Sequence, residues 1–95
     1  MEFDFEGRVV EWRGPAPFYF VAIPAAESAD IKAAAKGIEY WGQAPVTARI
    51  RDTQFSTALF PRDGRYLLPL KNAVRKSARI ALGEIVAVQL SVGRR

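Results

Sequence analysis

Cysteine and histidine are both absent from this 95-residue chain. The first absence excludes a disulfide framework and a thiolate nucleophile. The second removes the commonest general base and the commonest metal ligand. Long apolar runs are lacking as well: the longest stretch without a charge, Gly14 to Ala26, has 13 residues and carries three prolines. That is too short and too broken to span a bilayer as a helix. Glu2, Asp4 and Glu6 stand near the start of the chain, the opposite of a secretory n-region. A cytoplasmic protein is expected. No glycine-rich phosphate cradle exists, since the seven glycines are scattered among turn positions.

What is present is ordinary globular composition, 49% apolar and 25% charged, which excludes wholesale disorder. The length allows one domain, residues 1–95, large enough to hold a core without staples. Charge is unevenly placed. Residues 1–44 carry four basic and seven acidic side chains, net −3, and residues 45–95 carry ten basic and three acidic, net +7. Arginine outnumbers lysine ten to four, and arginine suits planar contacts to phosphate or carboxylate. A bipolar molecule of this kind binds a polyanion on one side, pairs with itself, or merely neutralises its own surface.

Period-two alternation runs through Phe3, Phe5 and Val9 and then shifts at Val10 and Trp12, with Gly7 nearby, so a strand with a strong bend is predicted. Gly14-Pro15-Ala16-Pro17 turns the chain into a second strand, Phe18 to Ile23, stopped by Pro24. A helix is predicted over 24–37, with Ser28 or Glu27 near its start and Gly37 at its C-cap. A loop with Tyr40 and Trp41 leads to a third strand, Val46 to Arg51. A fourth strand covers Gln54 to Phe60, Pro61-Arg62-Asp63-Gly64 turns, and a fifth covers Arg65 to Leu68 before Pro69. Asn72 opens a short helix to about Arg79, and Ile85 to Val92 forms the last strand.

The order is strand, strand, helix, strand, twice over, with the strand–proline–helix junctions at Pro24 and Pro69. This predicts a mainly β (α+β) fold: a small, closed or partly split β-barrel whose half-barrels cover about 1–44 and 45–95. Closure would also remove exposed sheet edges.

Several runs are distinctive: Glu11-Trp12, Phe20-Val21-Ala22-Ile23-Pro24, Ser56-Thr57-Ala58-Leu59-Phe60-Pro61, and Tyr66-Leu67-Leu68-Pro69-Leu70-Lys71-Asn72-Ala73-Val74-Arg75. Together they resemble the small bacterial domain-of-unknown-function family nineteen-oh-five over nearly the whole chain. The resemblance implies a double-split β-barrel and carries no activity with it. Fusion of such domains to other bacterial segments implies a protein-interaction role. Gly64 to Pro69, the helix with Arg75, and Leu82-Gly83-Glu84-Ile85-Val86 are also similar to AbrB/MazE-type swapped hairpins, which are DNA-binding dimers. Glu84 stands where that pattern has aspartate, and one chain here holds both halves.

The candidate site follows from charge. Lys71, Arg75 and Arg79, with Lys76 beside them, fall within an arc of about 140° on a helical wheel, opposite Val74 and Ala78. Arg49 and Arg51 share a parity on the third strand. These six cations are the expected contacts to nucleic acid or another polyanion. The bland alternative is a solvated helix face with cations toward its C-terminus. Trp12, Phe18, Phe20, Phe55 and Phe60 are expected in the core.

A second reading makes Tyr40 and Trp41 a protein-contact hot spot, and a third places a small anion at the helix start near Asn72. Glu2, Asp4 and Glu6 form a carboxylate row, read as protection of a sheet edge rather than as an acid/base or cation site. Ser56, Thr57 and Ser77 have no histidine to activate them, and a Ser–Lys pair would need a buried Lys71. The expectation is a non-catalytic binding module without metal or cofactor, monomeric or homodimeric.

Overall fold

The computed structural model describes residues 2–12, 18–39 and 42–93. Six strands and two helices follow in the expected order: β1 (Glu2–Trp12), β2 (Phe18–Ala22), α1 (Ala25–Ala34), β3 (Ala44–Ile50), β4 (Thr53–Arg62), β5 (Arg65–Leu70), α2 (Asn72–Ala78) and β6 (Ile85–Val92). All ladders are antiparallel, and the strands close into a barrel in the order β1-β2-β5-β4-β3-β6.

The barrel consists of two four-stranded sheets that share β1 and β4. The first part of β1 pairs with β6 through Arg8–Ile85, and its end pairs with β2 from Val9–Val21 onward. In the same way β4 pairs with β3 up to Leu59 and with β5 from Phe60. The registers are two-fold related. The pair Trp12–Phe18 at the end of one hairpin corresponds to Arg62–Arg65 at the end of the other, and Glu11–Tyr19 corresponds to Pro61–Tyr66. The symmetric repeat therefore divides at the β3–β4 turn, Arg51-Asp52. The border near residue 44 suggested by charge would cut β3 from its own half.

Side chains of one parity fill the interior: Phe5 and Val9 of β1, Val21 of β2, Val46, Ala48 and Ile50 of β3, Leu59 of β4, Tyr66, Leu68 and Leu70 of β5, and Val86, Val88 and Leu90 of β6. Gly7 occupies an inward position where β1 passes from one sheet to the other. A β-carbon there would lie 2.6 Å from the Ala22 carbonyl oxygen and 2.6 Å from Val21 Cγ1. Only glycine lets the strands approach this closely, which explains the bend predicted at this point.

Two expectations about prolines need correction. Neither Pro61 nor Pro69 ends a strand: β4 continues to Arg62 and β5 to Leu70. Pro45 also lies inside β3. Each of the three sits where its strand has a ladder on one side only, beyond the Val46–Val92, Leu59–Ala44 and Leu67–Phe60 pairs. A missing N–H is harmless at such a split. The turn between β4 and β5 is the two-residue Asp63-Gly64 with both residues at positive φ, as a tight hairpin requires.

Helix α1 is shorter than predicted, ending at Ala34, with Gly37 (φ +94°) in the turn beyond. Ser28 is not a cap. It is buried, and its hydroxyl donates to the Ile23 carbonyl (3.3 Å) and accepts from the Tyr66 N–H (3.1 Å), fastening α1 to β5. Helix α2 spans seven residues, with Lys71 rather than Asn72 at the N-cap and no side-chain cap. Its inner face seats Ala78 and Val74 on the core.

Candidate functional site

The six cations expected to act together have different surroundings. Arg51 is not on a strand. It opens the β3–β4 turn at φ +54°, so it does not share a strand face with Arg49. Its guanidinium donates to the Ala78 and Arg79 carbonyls at 2.6 and 2.7 Å and pairs with Glu84. These carbonyls are the unsatisfied end of α2, where a cation is favourable. Arg51 thus closes a helix and has little left to offer a ligand. The Ala81 N–H (3.0 Å) and then the Arg51 guanidinium hold the Glu84 carboxyl below the usual carboxylate range.

Arg75 is also engaged. Its guanidinium lies 3.9 Å from the Tyr19 ring centroid and donates to Asn72 Oδ1, a cation–π contact that turns it inward from the expected basic face. The wheel fails at Arg79, because the helix stops at Ala78 and Arg79 is left-handed, φ 56°. Hydrogen bonds from the Arg79 N–H to the Lys76 carbonyl and from the Ile80 N–H to the Arg75 carbonyl form a Schellman cap around it. Lys71, Lys76 and Arg79 remain exposed, and among the described residues none of them makes an ion pair.

Arg49 points to a different surface. The outer face of the sheet formed by β1, β6, β3 and β4 holds a groove of about 340 Å³ in which Arg49 lies with Glu2, Asp4, Thr47, Gln54 and Gln89. Its guanidinium donates to Gln54 Oε1 at 3.3 Å. Two carboxylates on the same wall repel phosphate, so Arg49 does not extend the α2 patch. The row Glu2, Asp4 and Glu6 does share one exposed face. On this stretch β1 is paired with β6 on one side, and its pairing with β2 begins only at Val9, so the row lies beside the split between the two sheets.

The outer face of the other sheet was not anticipated. Val10 and Trp12 of β1, Phe18 and Phe20 of β2, Leu67 and Pro69 of β5, and Phe60 of β4 lie on its outward parity. Trp12 is 42% and Phe18 58% exposed, which overturns their expected place in the core. Phe20 is buried, but beneath this outer layer, with ring centroids 6.3 Å from Trp12 and 6.4 Å from Phe60. Three strand spacings separate β1 from β4 here, about 14 Å in a flat sheet. Yet the Arg62 guanidinium lies 4.4 Å from the Trp12 ring centroid. Twist has brought the two diagonal corners together into a saddle. Arg62 and its pair Arg65 tip one corner, Trp12 and Phe18 the other, and Lys71 follows one step beyond the Tyr19–Leu70 pair at the margin. The sequence signal was available: Val10, Trp12, Phe18, Phe20 and Phe60 are apolar on the parity opposite to Val9, Val21 and Leu59.

Two of the three hydroxyls singled out pair with another hydroxyl, Ser77 with Thr53 at 2.7 Å and Ser56 with Thr47 at 3.4 Å. Lys71 is exposed, so it is not the buried amine that a Ser–Lys pair needs. Burial, and then the Glu39 carboxylate, push the Tyr66 hydroxyl above its ordinary pKa. Among the described residues no three His, Cys, Asp or Glu side chains gather as a metal site, and no helix is long and apolar enough to cross a membrane. Tyr40 and Trp41, the alternative protein contact, lie outside the described residues. Helix α2, at seven residues, is too short for an anion site at its start near Asn72.

No curated protein matches the chain. A family model does, over residues 5–90, and its description is a domain of unknown function. The match takes in both helices, four strands whole and most of β1 and β6, including both hairpins that form the saddle. The chain belongs to the family described as Domain of unknown function (DUF1905).

Proposed function

We propose that this domain is a non-catalytic binding module of the bacterial cytoplasm that takes an anionic polymer, nucleic acid before others. The observation that carries the reading is the set of exposed cations without acidic partners among the described residues, Lys71, Lys76 and Arg79. Arg62 and Arg65 add charge at the saddle, where Asp63, 3.8 Å from Arg62, is 92% exposed and offers only a weak counter-charge. Arg65 Nε donates to the Ile23 carbonyl at 3.1 Å, so only its terminal nitrogens face a ligand. Arg51 and Arg75 support this surface by holding α2 in place and drop out of the contact set. The lack of histidine and cysteine and the pairing of Ser56 and Ser77 with other hydroxyls favour binding over catalysis. A single chain closes the barrel.

The test is fluorescence anisotropy with labelled oligonucleotides at about 50 and 200 mM salt, because phosphate-driven affinity falls steeply over this range. Saturable, salt-sensitive binding is expected. Replacing Lys71, Lys76 and Arg79 together by glutamine should reduce the slope of log K against log salt by about 2–3. None of the three is buried, so the variant should melt like the parent. An unchanged slope and affinity would refute the reading.

A further inference from the structure

The saddle carries more than charge. Among the outward positions of the stretches paired in this sheet (9–12 of β1, 18–22 of β2, 65–70 of β5 and 60–62 of β4) there is no acidic residue, while three cations, Arg62, Arg65 and Lys71, stand at its margins. The face therefore suits an anionic partner, but its floor is apolar and aromatic. A phosphate backbone alone gains nothing from such a floor. Unpaired bases do, since every base has a π-face that stacks on aromatic rings and on guanidinium planes, at modest cost in sequence selectivity.

Two stacking platforms are open. One is the Phe18 ring, more than half exposed. The other is the Arg62 guanidinium, which lies on the Trp12 ring with its side chain 46% exposed. Trp12 in turn rests on Phe20, and Phe20 on Phe60, so the platform is backed by a packed aromatic series. Duplex DNA presents its bases edge-on inside grooves and cannot use such platforms. The saddle also differs from the opposite face of the barrel, where Glu2 and Asp4 line the groove around Arg49.

We infer that the polymer this domain takes is an unpaired nucleic-acid strand, with bases stacked on Phe18 and on the Arg62–Trp12 platform and phosphates met by Lys71 and by the terminal nitrogens of Arg65, whose Nε is held by the Ile23 carbonyl. The inference rests on the polyanion reading above and names its ligand class. It is tested by measuring affinity for three probes of matched charge: a single-stranded oligonucleotide, the corresponding duplex, and heparin, which has charge but no bases.

The single strand should bind about ten-fold more tightly than the other two. Phe18→Ala should remove most of that preference, and Arg62→Lys, which keeps the charge but not the plane, should weaken only the single strand. Both side chains are substantially exposed, and melting curves of the variants confirm folding. Equal binding of all three probes, unaffected by Phe18→Ala, would overturn the stacking inference and leave the polyanion reading standing. Failure of every probe to bind at low salt would overturn both and turn attention to a protein partner for the apolar face.

Discussion

Substituting Gly7 by alanine tests the barrel geometry at its tightest point. The added β-carbon would sit 2.6 Å from the Ala22 carbonyl oxygen and from Val21 Cγ1, about 1 Å inside normal contact distance. Neither neighbour yields easily. Val21 is fully buried, with a stiff β-branched side chain, and Ala22 is held in its ladder opposite Leu67. Forcing one methyl into a packed site costs about 1–3 kcal/mol, and involvement of backbone argues for the upper half. Alanine recovers about 0.5–1 kcal/mol of glycine's backbone entropy, because no left-handed φ is needed here. The net cost is about 2 kcal/mol, and for a domain of this size each kcal/mol lowers Tm by about 4–8 °C.

Thermal melts followed by circular dichroism should therefore fall by about 8–16 °C in Gly7→Ala. Urea unfolding should show a lower midpoint with unchanged slope, as expected for lost stability without a changed unfolded state. A variant melting within about 2 °C of the parent, where the same scale predicts a much larger drop, would refute the claim that β1 crosses between sheets in contact with Val21 and Ala22.

Two further predictions concern polar groups. Ser28→Ala removes the acceptor of the Tyr66 N–H in a buried site and should cost about 1–3 kcal/mol, measured as the shift in urea midpoint. Glu84 has a lowered folded-state pKa, so the stability it contributes is present above its ordinary pKa of 4.5 and is lost as pH falls through the folded value. Between pH 7 and pH 3, Glu84→Gln should thus lose less stability than the parent in paired urea titrations, and an equal loss would remove Glu84 from the acid response.

Strand order and core were legible because period-two patterns survive even in short strands. Phe5 and Val9 of the predicted alternation reached the interior, whereas of the aromatics expected in the core Trp12 and Phe18 lie exposed on the outer face, and the repeat of strand, strand, helix, strand anticipated a split barrel. Prolines misled the boundaries, since their effect depends on whether the neighbouring ladder has already ended, which is a tertiary fact. The helix wheel misled the site for a similar reason. It treats Lys71, Arg75 and Arg79 as helical, whereas one is a cap, one stacks on a tyrosine of the other half, and one is left-handed. Arg51 looked like a surface cation because nothing local shows that it reaches the end of α2, 27 residues further on.

The internal two-fold offers a way to separate structural residues from working ones within a single chain. Several equivalent inward positions hold similar side chains: Tyr19 and Tyr66, Phe5 and Phe55, Val21 and Leu68. Packing a closed barrel imposes the same demand on both halves. On the saddle Val10 and Phe60, and Phe20 and Leu67, stay apolar, but the two outward pairs at the hairpin tips differ in kind: Trp12 corresponds to Arg62 and Phe18 to Arg65. Folding does not require that difference, since both corners solve the same strand-pairing problem. The consequence is that twist brings aromatic groups from one half against guanidinium groups from the other, a combination that neither half could present by itself. Arg49 and its counterpart Gln89 differ as well, but they face a groove with carboxylates, where no stacking surface exists. The asymmetry that is both exposed and chemically complementary lies at the saddle, and that is where substitutions should change binding while leaving the barrel intact.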